Sequence, residues 1–335
     1  MLYPLTIHTT RTIKKPSLSL DKVFLMDPTK TTTLRKQFSA AMDKRFRKIK
    51  ALVLESVYKN DCFGLSKTSP KLSIHQAALP GQFAFQRDPE KVSQFMLWLQ
   101  EQIDRELLYK STRFRSIGPA VEESWMNVFI ESAYQRGLSN AWEELRKNGV
   151  EVPEAFSAGS TPMAIAFNQP IHVDTMGLAF TRSYNDLKGI TDEMGMQISR
   201  TLAQGLADGR GPMEIARLLN QVIELPRVPV SIPGVGVRNL TSIQRARMLA
   251  RTEVIRAHHL ANINEYENAG IYEIKLQAEW LTAGDGKVCE RCRILSRKDN
   301  GMGPGVYTLD QIRGMIPAHP NCRCMAKPYK KEWYD

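Results

Sequence analysis

Between residues 27 and 58, apolar residues recur at intervals of three and four and predict one amphipathic helix. Asp27-Pro28 is typical of a helix start, because aspartate can cap the first turn and proline fits its first position. The predicted buried face contains Leu34, Phe38, Met42, Phe46, Ile49, Val53 and Val57. The opposite face is basic and contains Arg35, Lys36, Lys44, Arg45, Arg47, Lys48 and Lys50.

Two more helices are predicted to complete a helical N-terminal region over residues 27–150. One follows Asp88-Pro89, with apolar positions between Val92 and Ile103, and the other covers 121–147, with Trp125 to Trp142 as candidate core. Residues 60–88 show little periodicity and predict a loop. Residues 1–26 are interpreted as an extended arm that packs on another element or another chain.

The C-terminal half begins with a Pro/Ser/Gly-rich stretch, which predicts a linker over residues 151–180. Helical patterns follow at 183–207, 212–223 and 242–268, separated by a turn-rich excursion at 225–239, and Gly270 is interpreted as the end of the last helix. Residues 271–281 alternate with period two and predict a strand. The predicted fold class is mainly α, with a small α+β domain over 181–330 that ends in a metal- or thiol-stapled loop.

The net charge of +11 changes the interpretation of the first helix. Residues 1–60 contain 13 Lys or Arg against 4 Asp or Glu. Because a basic segment attracts polyanions, double-stranded DNA is a natural partner, while a merely solvated face stays the alternative. No apolar run is long enough to span a bilayer and the N-terminus does not resemble a secretory signal, so we expect no membrane partner and a protein made and used in a cytosol.

Four of the five cysteines cluster near the C-terminus and predict a metal site. Cys289 and Cys292 have the spacing of paired thiolate ligands, and His319, Cys322 and Cys324 supply three further donors. A tetrahedral zinc ion needs four ligands, so the prediction is Cys289 and Cys292 with two of the other three. A structural zinc would hold together a segment with few large apolar residues. Reduced, unligated thiols and disulfides remain the alternatives.

Three segments of the C-terminal half form a pattern: A-R-T-E-V-I-R-A-H-H-L-A-N at 250–262, Trp280-Leu281-Thr282 with Asp285 and C-x-x-C, and H-P-N-C-R-C at 319–324. This pattern resembles the phage Mu F-like head morphogenesis family: the first segment is similar to the family's helix signature, the second to the segment that follows it, and the third to the end of its pattern. The resemblance covers roughly residues 180–328. It implies a minor head protein of the virion, inside the head or at the portal vertex, with a role in procapsid assembly and in DNA packaging or ejection. The implied partners are the portal protein, DNA, and a capsid or scaffold protein.

The signature residues are expected to serve structure rather than catalysis; they are Arg251, Thr252, Glu253, Asn262, Trp280 and Asp285. Glu253 and Arg256 lie three residues apart and can pair on one helix face. Asn262 is expected to cap or hydrogen-bond loop backbone, and Asp285 to occupy a turn. Of the adjacent His258 and His259, one is expected to face inward and the other outward.

Two other functions stay open. One is an enzyme carried in the virion, a metal-dependent nuclease or a transferase, in which Arg251, Glu253, His319 and the thiols form the site. A catalytic zinc keeps an open coordination position, however, whereas the surplus of donors here favours a closed structural site and no enzyme activity. The other alternative is a basic adaptor whose zinc knuckle binds nucleic acid without a portal.

Overall fold

The computed structural model describes residues 27–65, 91–113, 121–152, 161–224, 228–232, 236–271 and 276–333. The predicted arm at 1–26 lies outside these ranges. The N-terminal helices are α1 (Thr32–Leu54), continued by a π-helical turn (Glu55–Lys59), α2 (Lys91–Glu106) and α3 (Asn127–Lys147). They are followed by α4 (Thr161–Phe167), α5 (Pro170–Ala207), α6 (Pro212–Glu224) and α7 (Ser242–Ile271).

The predicted apolar face of α1 is confirmed, since all seven of its residues are buried. Phe38 stacks on Phe129 of α3 with ring centroids 4.6 Å apart. Asp27 does not cap the helix as expected, because α1 begins five residues later. Its carboxylate instead accepts hydrogen bonds from the Thr29 and Thr32 hydroxyls and ties the preceding turn to the helix.

Helix α7 is the centre of the molecule and packs against α1, α3 and α5. Its approach to α3 is so close that a Cβ at Gly137 would lie 2.2 Å from the carbonyl oxygen of His258. Because α7 is covered on several sides, polar residues on it are buried as well as apolar ones. Both His258 and His259 are 1% exposed, so the expectation that one faces outward is wrong.

The C-terminal part is a small three-stranded antiparallel sheet with two short helices in the connections between its strands. Strand β5 (Gln277–Leu281) lies in the middle, between β6 (Val306–Thr308) and β7 (Met325–Tyr329), and α8 (Glu290–Leu295) and α9 (Leu309–Arg313) occur in the connections. Trp280 on β5 is 2% exposed and belongs to a second apolar cluster with Tyr266 of α7. The predicted fold class, mainly α with a small C-terminal α+β part, is confirmed.

Two pairs of strands were not predicted. Strands β1 (Lys110–Arg113) and β2 (Val121–Ser124) form one antiparallel pair, so the third helix begins at Asn127 rather than near 121. Strands β3 (Val228–Ile232) and β4 (Gly236–Leu240) form another in the stretch interpreted as a turn-rich excursion. The register joins Pro229 to Asn239, which shows that proline is tolerated in this exposed pair.

The linker predicted over 151–180 is wrong in its second part. Pro170 stands at the first position of α5, where its missing N–H costs nothing, and the buried Met176 and Ala179 follow at helical spacing. The predicted strand at 271–281 is also shorter than expected, because α7 continues through Gly270 to Ile271 and β5 begins at Gln277. No helix in the described ranges is both long enough and apolar enough to cross a membrane.

Candidate metal centre

The predicted ligands come from two short connections that meet beside the sheet. Cys289 is the N-cap of α8, with its sulfur accepting the backbone N–H of Cys292 at 3.4 Å, and Cys292 lies one turn along that helix. His319, Cys322 and Cys324 lie in the segment between α9 and β7, where Asn321 adopts φ 64°. The N-cap of α8 and the turn at Asn321 therefore position the two groups of candidate ligands, which are distant in sequence, next to each other.

The distances between donor atoms fit coordination of one ion. The Nε2 atom of His319 lies 3.2 Å from the sulfur of Cys289 and 3.3 Å from that of Cys292, and the sulfurs of Cys292 and Cys322 are 3.9 Å apart. Sulfurs at the corners of a tetrahedron around zinc would be about 3.8 Å apart, given a Zn–S bond of about 2.3 Å. In each of two triads, Cys289/Cys292/His319 and Cys292/Cys322/Cys324, all donor atoms lie within 4.8 Å of one another.

A small cavity lies among these donors. Its volume is about 20 Å³, and its lining includes Cys289, Cys292, His319 and Cys324. A cavity needs about 10–15 Å³ to admit one water-sized sphere, so this one has room for a single ion. Most of the donors are buried, with Cys292, Cys322 and Cys324 each at most 3% exposed.

The imidazole of His319 is oriented for metal binding. Its Nδ1 lies 2.8 Å from the carbonyl oxygen of Pro320, a contact that requires Nδ1–H to donate. The proton is thus held on Nδ1 and the lone pair of Nε2 points at the thiols. This outer hydrogen bond to a carbonyl is the usual arrangement for a histidine ligand of zinc.

The thiols differ in how easily they ionise. Hydrogen bonds from the thiols of Cys292 and Cys324 lower the pKa of Cys322, and backbone N–H groups of Cys324 and Ala318 act in the same direction. The contact with Cys322 raises the pKa of Cys292. Thiolate is the form that binds metal, and the hydrogen bonds around Cys322 favour that form.

Two signature contacts fix the loops that carry the donors. Asp285, ahead of Cys289, accepts two hydrogen bonds of 2.6 Å from Arg323, which stands between Cys322 and Cys324. Asp285 also accepts the backbone N–H of Lys287, as expected of a turn residue. The Arg323 guanidinium holds the pKa of the Asp285 carboxyl down, at about 2. The pair therefore links the two halves of the centre outside the donors themselves.

Helix α7 contacts the same centre through Arg251 and Thr252. Arg251 donates to the side-chain oxygen of Asn321 at 3.4 Å, and the backbone N–H of Asn321 donates to the hydroxyl of Thr252, also at 3.4 Å. His259 lies 3.0 Å from the carbonyl oxygen of Ile312 and joins α7 to α9. These contacts tie α7 to the loop that carries His319 and Cys322 and to α9.

Glu253 and Asn262 have surroundings that were not foreseen. Glu253 is 1% exposed and pairs with Arg256, as predicted. Its carboxylate also accepts hydrogen bonds from Arg182 at 2.9 Å and Ser183 at 3.2 Å, both on α5. Glu253 therefore joins α7 to α5. Asn262 is fully buried, and its amide has no hydrogen-bond partner among the described residues. The expected capping contact to loop backbone is therefore not found there.

The predicted basic face of α1 is smaller than the sequence suggested. Arg35 is only 8% exposed and pairs with Asp27, so its assignment to a DNA-facing surface is wrong. The turn before the helix covers this position, which a periodicity argument cannot see. Arg45 is also partly covered, because its guanidinium lies 3.7 Å from the ring centroid of Trp125.

The remaining basic residues of α1 are partly neutralised. Arg47 pairs with Asp43 at 3.8 Å, Lys48 pairs with Glu106, and Lys50 is half-buried. Lys36 and Lys44 are exposed. The helix thus retains positive surface charge, but less than its sequence predicts.

The comparisons with known proteins give a family match in the C-terminal part of the chain. Residues 196–327 match the family model described as Phage Mu protein F like protein. No curated protein and no solved structure gives a significant match. The matched range begins within α5, includes α7, and extends through all five candidate donors into β7.

Proposed function

We propose that this chain is a minor head protein that associates with the portal, because residues 196–327 match the Mu F-like phage head morphogenesis proteins. It would act in procapsid assembly and in DNA packaging or ejection, first in the host cytoplasm and then in the virion. The family match is the observation that carries this proposal. The N-terminal helices, which lie outside the matched range, would supply contacts particular to this chain.

The cysteine and histidine cluster is proposed to hold one structural zinc ion. Thiolate sulfur and imidazole nitrogen are the donors that zinc prefers in structural sites, and the ion supplies four strong bonds to a segment with little regular structure. Cys289, Cys292 and His319 would provide three ligands. Cys322 is favoured as the fourth, because its sulfur lies 3.9 Å from that of Cys292 and accepts backbone N–H groups.

The ligand assignment can be tested by comparing single serine variants. Cys289→Ser and Cys322→Ser should weaken zinc binding strongly and lower the thermal unfolding temperature, whereas Cys324→Ser should retain one zinc per chain. A chelator competition titration measures all three. Loss of zinc from Cys324→Ser, with retention in Cys322→Ser, would reverse the assignment of the fourth ligand.

The enzyme alternative is less well supported by the site. A metal-dependent nuclease or transferase needs an open coordination position for water or substrate. Here four donors (Cys289, Cys292, His319 and Cys324) line a cavity the size of one ion, and Cys322 lies in contact with Cys292 beside it. Cys289→Ser and Cys322→Ser should therefore lower stability and incorporation into heads. Robust DNA cleavage or group transfer that Cys289→Ser abolishes would contradict the structural role.

Portal association calls for a direct binding experiment. The full chain would be co-expressed with the portal protein of the same phage, and the complex isolated by a tag on the portal and sedimented. Co-sedimentation at a fixed ratio to the portal ring is expected. Cys289→Ser should reduce the bound fraction, and Gly189→Ala, an open surface position on α5, should leave it unchanged. Sedimentation of the wild-type chain entirely apart from the ring would refute portal association.

A contact with double-stranded DNA is the remaining part of the proposal. The net charge of +11 and the exposed Lys36 and Lys44 on α1 support it. For binding to phosphates, the logarithm of the affinity falls linearly as the logarithm of the salt concentration rises. The slope of this line can be measured and reports the number of phosphates that the protein neutralises.

A further inference from the structure

A second basic surface surrounds α8, next to the metal centre. Residues 287–298 contain five basic residues and one acidic residue. Four of the basic residues and one apolar residue form what we call the knuckle face: Lys287, Arg291, Ile294, Arg297 and Lys298. All five are exposed, and Ile294 is 57% exposed.

Helical geometry aligns the central part of this face. Ser296 and Lys298 donate backbone hydrogen bonds to Cys292 and Ile294, so the helical turns continue past the end of α8. Arg291, Ile294 and Lys298 are spaced i, i+3 and i+7 and therefore lie on one side. They extend about 10 Å along the helix axis, a length comparable to about three phosphates of one DNA strand.

The cations of the knuckle face form no ion pair with the acidic residues beside them in the described structure, although the charge of Lys287 acts on the carboxylate of Asp285. Glu290 pairs with Arg293 at 3.1 Å, outside the face. Asp299 accepts two backbone N–H groups, from Gly301 at 2.8 Å and Gly303 at 3.2 Å. Within the part of the chain that the structure describes, none of the four knuckle-face cations forms an ion pair with a carboxylate. This differs from α1, where Arg35, Arg47 and Lys48 all have acidic partners.

We propose that the knuckle face binds the phosphate backbone of double-stranded DNA and contributes more to DNA affinity than α1 does. The inference rests on the proposed DNA contact and adds where that contact is made. Unpaired arginine and lysine side chains can form charge-assisted hydrogen bonds to phosphate oxygens without first giving up a carboxylate. Because such contacts carry no base information, the binding is independent of sequence.

Placement of the face depends on the metal ligands. Cys289 caps α8 and Cys292 lies within it, so the same residues that would hold the ion also set the direction in which Arg291 and Ile294 project. The Asp285–Arg323 pair anchors the preceding turn. The cations are thus presented from an ordered element rather than a free tail.

The test compares two double variants that each remove two positive charges from exposed positions. Arg291→Gln with Lys298→Gln alters the knuckle face, and Lys36→Gln with Lys44→Gln alters α1 as the matched control. Affinity of the full-length chain for a labelled duplex of arbitrary sequence would be measured by fluorescence anisotropy at salt concentrations between about 50 and 200 mM. Circular dichroism and the unfolding temperature would confirm that both variants fold.

The knuckle-face variant should flatten the slope of log affinity against log salt by about 2, since each phosphate that the protein neutralises adds about 0.9 to that slope. The α1 variant should change the slope by less. Equal slopes for the knuckle-face variant and the wild type, or a larger change in the α1 variant, would overturn the inference. Absence of duplex binding by the wild type would overturn it together with the DNA contact, while co-sedimentation with the portal would still decide the head-protein assignment separately.

Discussion

Replacement of Gly137 by alanine tests the central helix contact of the fold. An added Cβ would lie 2.2 Å from the carbonyl oxygen of His258, 2.9 Å from its carbonyl carbon and 2.8 Å from Cβ of Ala261. Two of these are backbone atoms of α7, so no change of rotamer relieves the overlap and the two helices must separate. Overpacking costs about 1–3 kcal/mol in ordinary cores and more where backbone must move, while alanine recovers about 1 kcal/mol of helix propensity. We expect a net decrease of about 2 kcal/mol in the free energy of unfolding.

The assay is equilibrium urea unfolding followed by circular dichroism, with Gly189→Ala as the matched control. Gly189 lies within α5 and an added Cβ there meets nothing within 4 Å, so this variant should gain about 0.5–1 kcal/mol. Opposite signs for the two glycines are the predicted result. A Gly137→Ala variant as stable as the wild type would refute the close approach of α3 and α7.

Three further changes test the interior and the outer contacts of the metal centre. Burial, and after it the neighbouring His259, lowers the pKa of His258 to about 3. The unfolded chain therefore takes up the proton first as the pH falls below about 6.5, which destabilises the folded state. Between pH 7 and pH 5 the free energy of unfolding, measured by chemical denaturation, should fall by about 2 kcal/mol more for the wild type than for His258→Gln. Equal losses would contradict the neutral buried imidazole. Asp285→Asn removes hydrogen bonds to Arg323 outside the donors and should weaken zinc affinity about tenfold, as measured by chelator competition. The control variant Glu279→Gln breaks the 2.8 Å ion pair with Lys327 in the sheet and should leave the zinc affinity unchanged. Glu253→Gln should lower stability by about 2 kcal/mol, because it leaves two arginines facing a buried amide; a change below about 0.5 kcal/mol would show that the cluster is solvated.

Local patterns predicted the helices that are buried on one side. The apolar face of α1 was readable because its other side faces solvent, and Phe95, Leu99 and Ile103 on α2 followed the same rule. The pattern failed for α7, which is covered on several sides. Adjacent residues such as His258 and His259 can then both be buried, and the burial depends on partners that are distant in sequence.

Elements marked by proline or by exposed strands were missed for a different reason. The composition around Pro170 predicts a linker, although proline is equally suited to the first turn of a helix. Strand β4 is exposed along nearly its whole length, so it lacks the alternation of apolar and polar residues that identifies a half-buried strand. In both cases the residue type admits two structures, and packing decides between them.

The sequence identifies the candidate metal ligands but not their geometry. The spacing of these residues in the sequence identifies all five candidate donors, because a C-x-x-C motif followed by a histidine and two further cysteines in a loop is typical of a metal site. It did not identify Arg323 as the partner of Asp285, nor the hydrogen bond from His319 to Pro320 that orients the imidazole. Nor did it reveal that the sulfurs of Cys292 and Cys322 lie 3.9 Å apart. These contacts depend on how two loops that are distant in sequence come together in the fold.

The most direct measurement is a count of zinc and free thiols in the purified full-length chain, before and after chelation, with the unfolding temperature recorded at each step. A structural centre predicts about one zinc per chain, thiols that become reactive only after chelation, and a lower unfolding temperature in the chelated protein. Reactive thiols with no bound metal, or disulfides in place of thiols, would contradict the account.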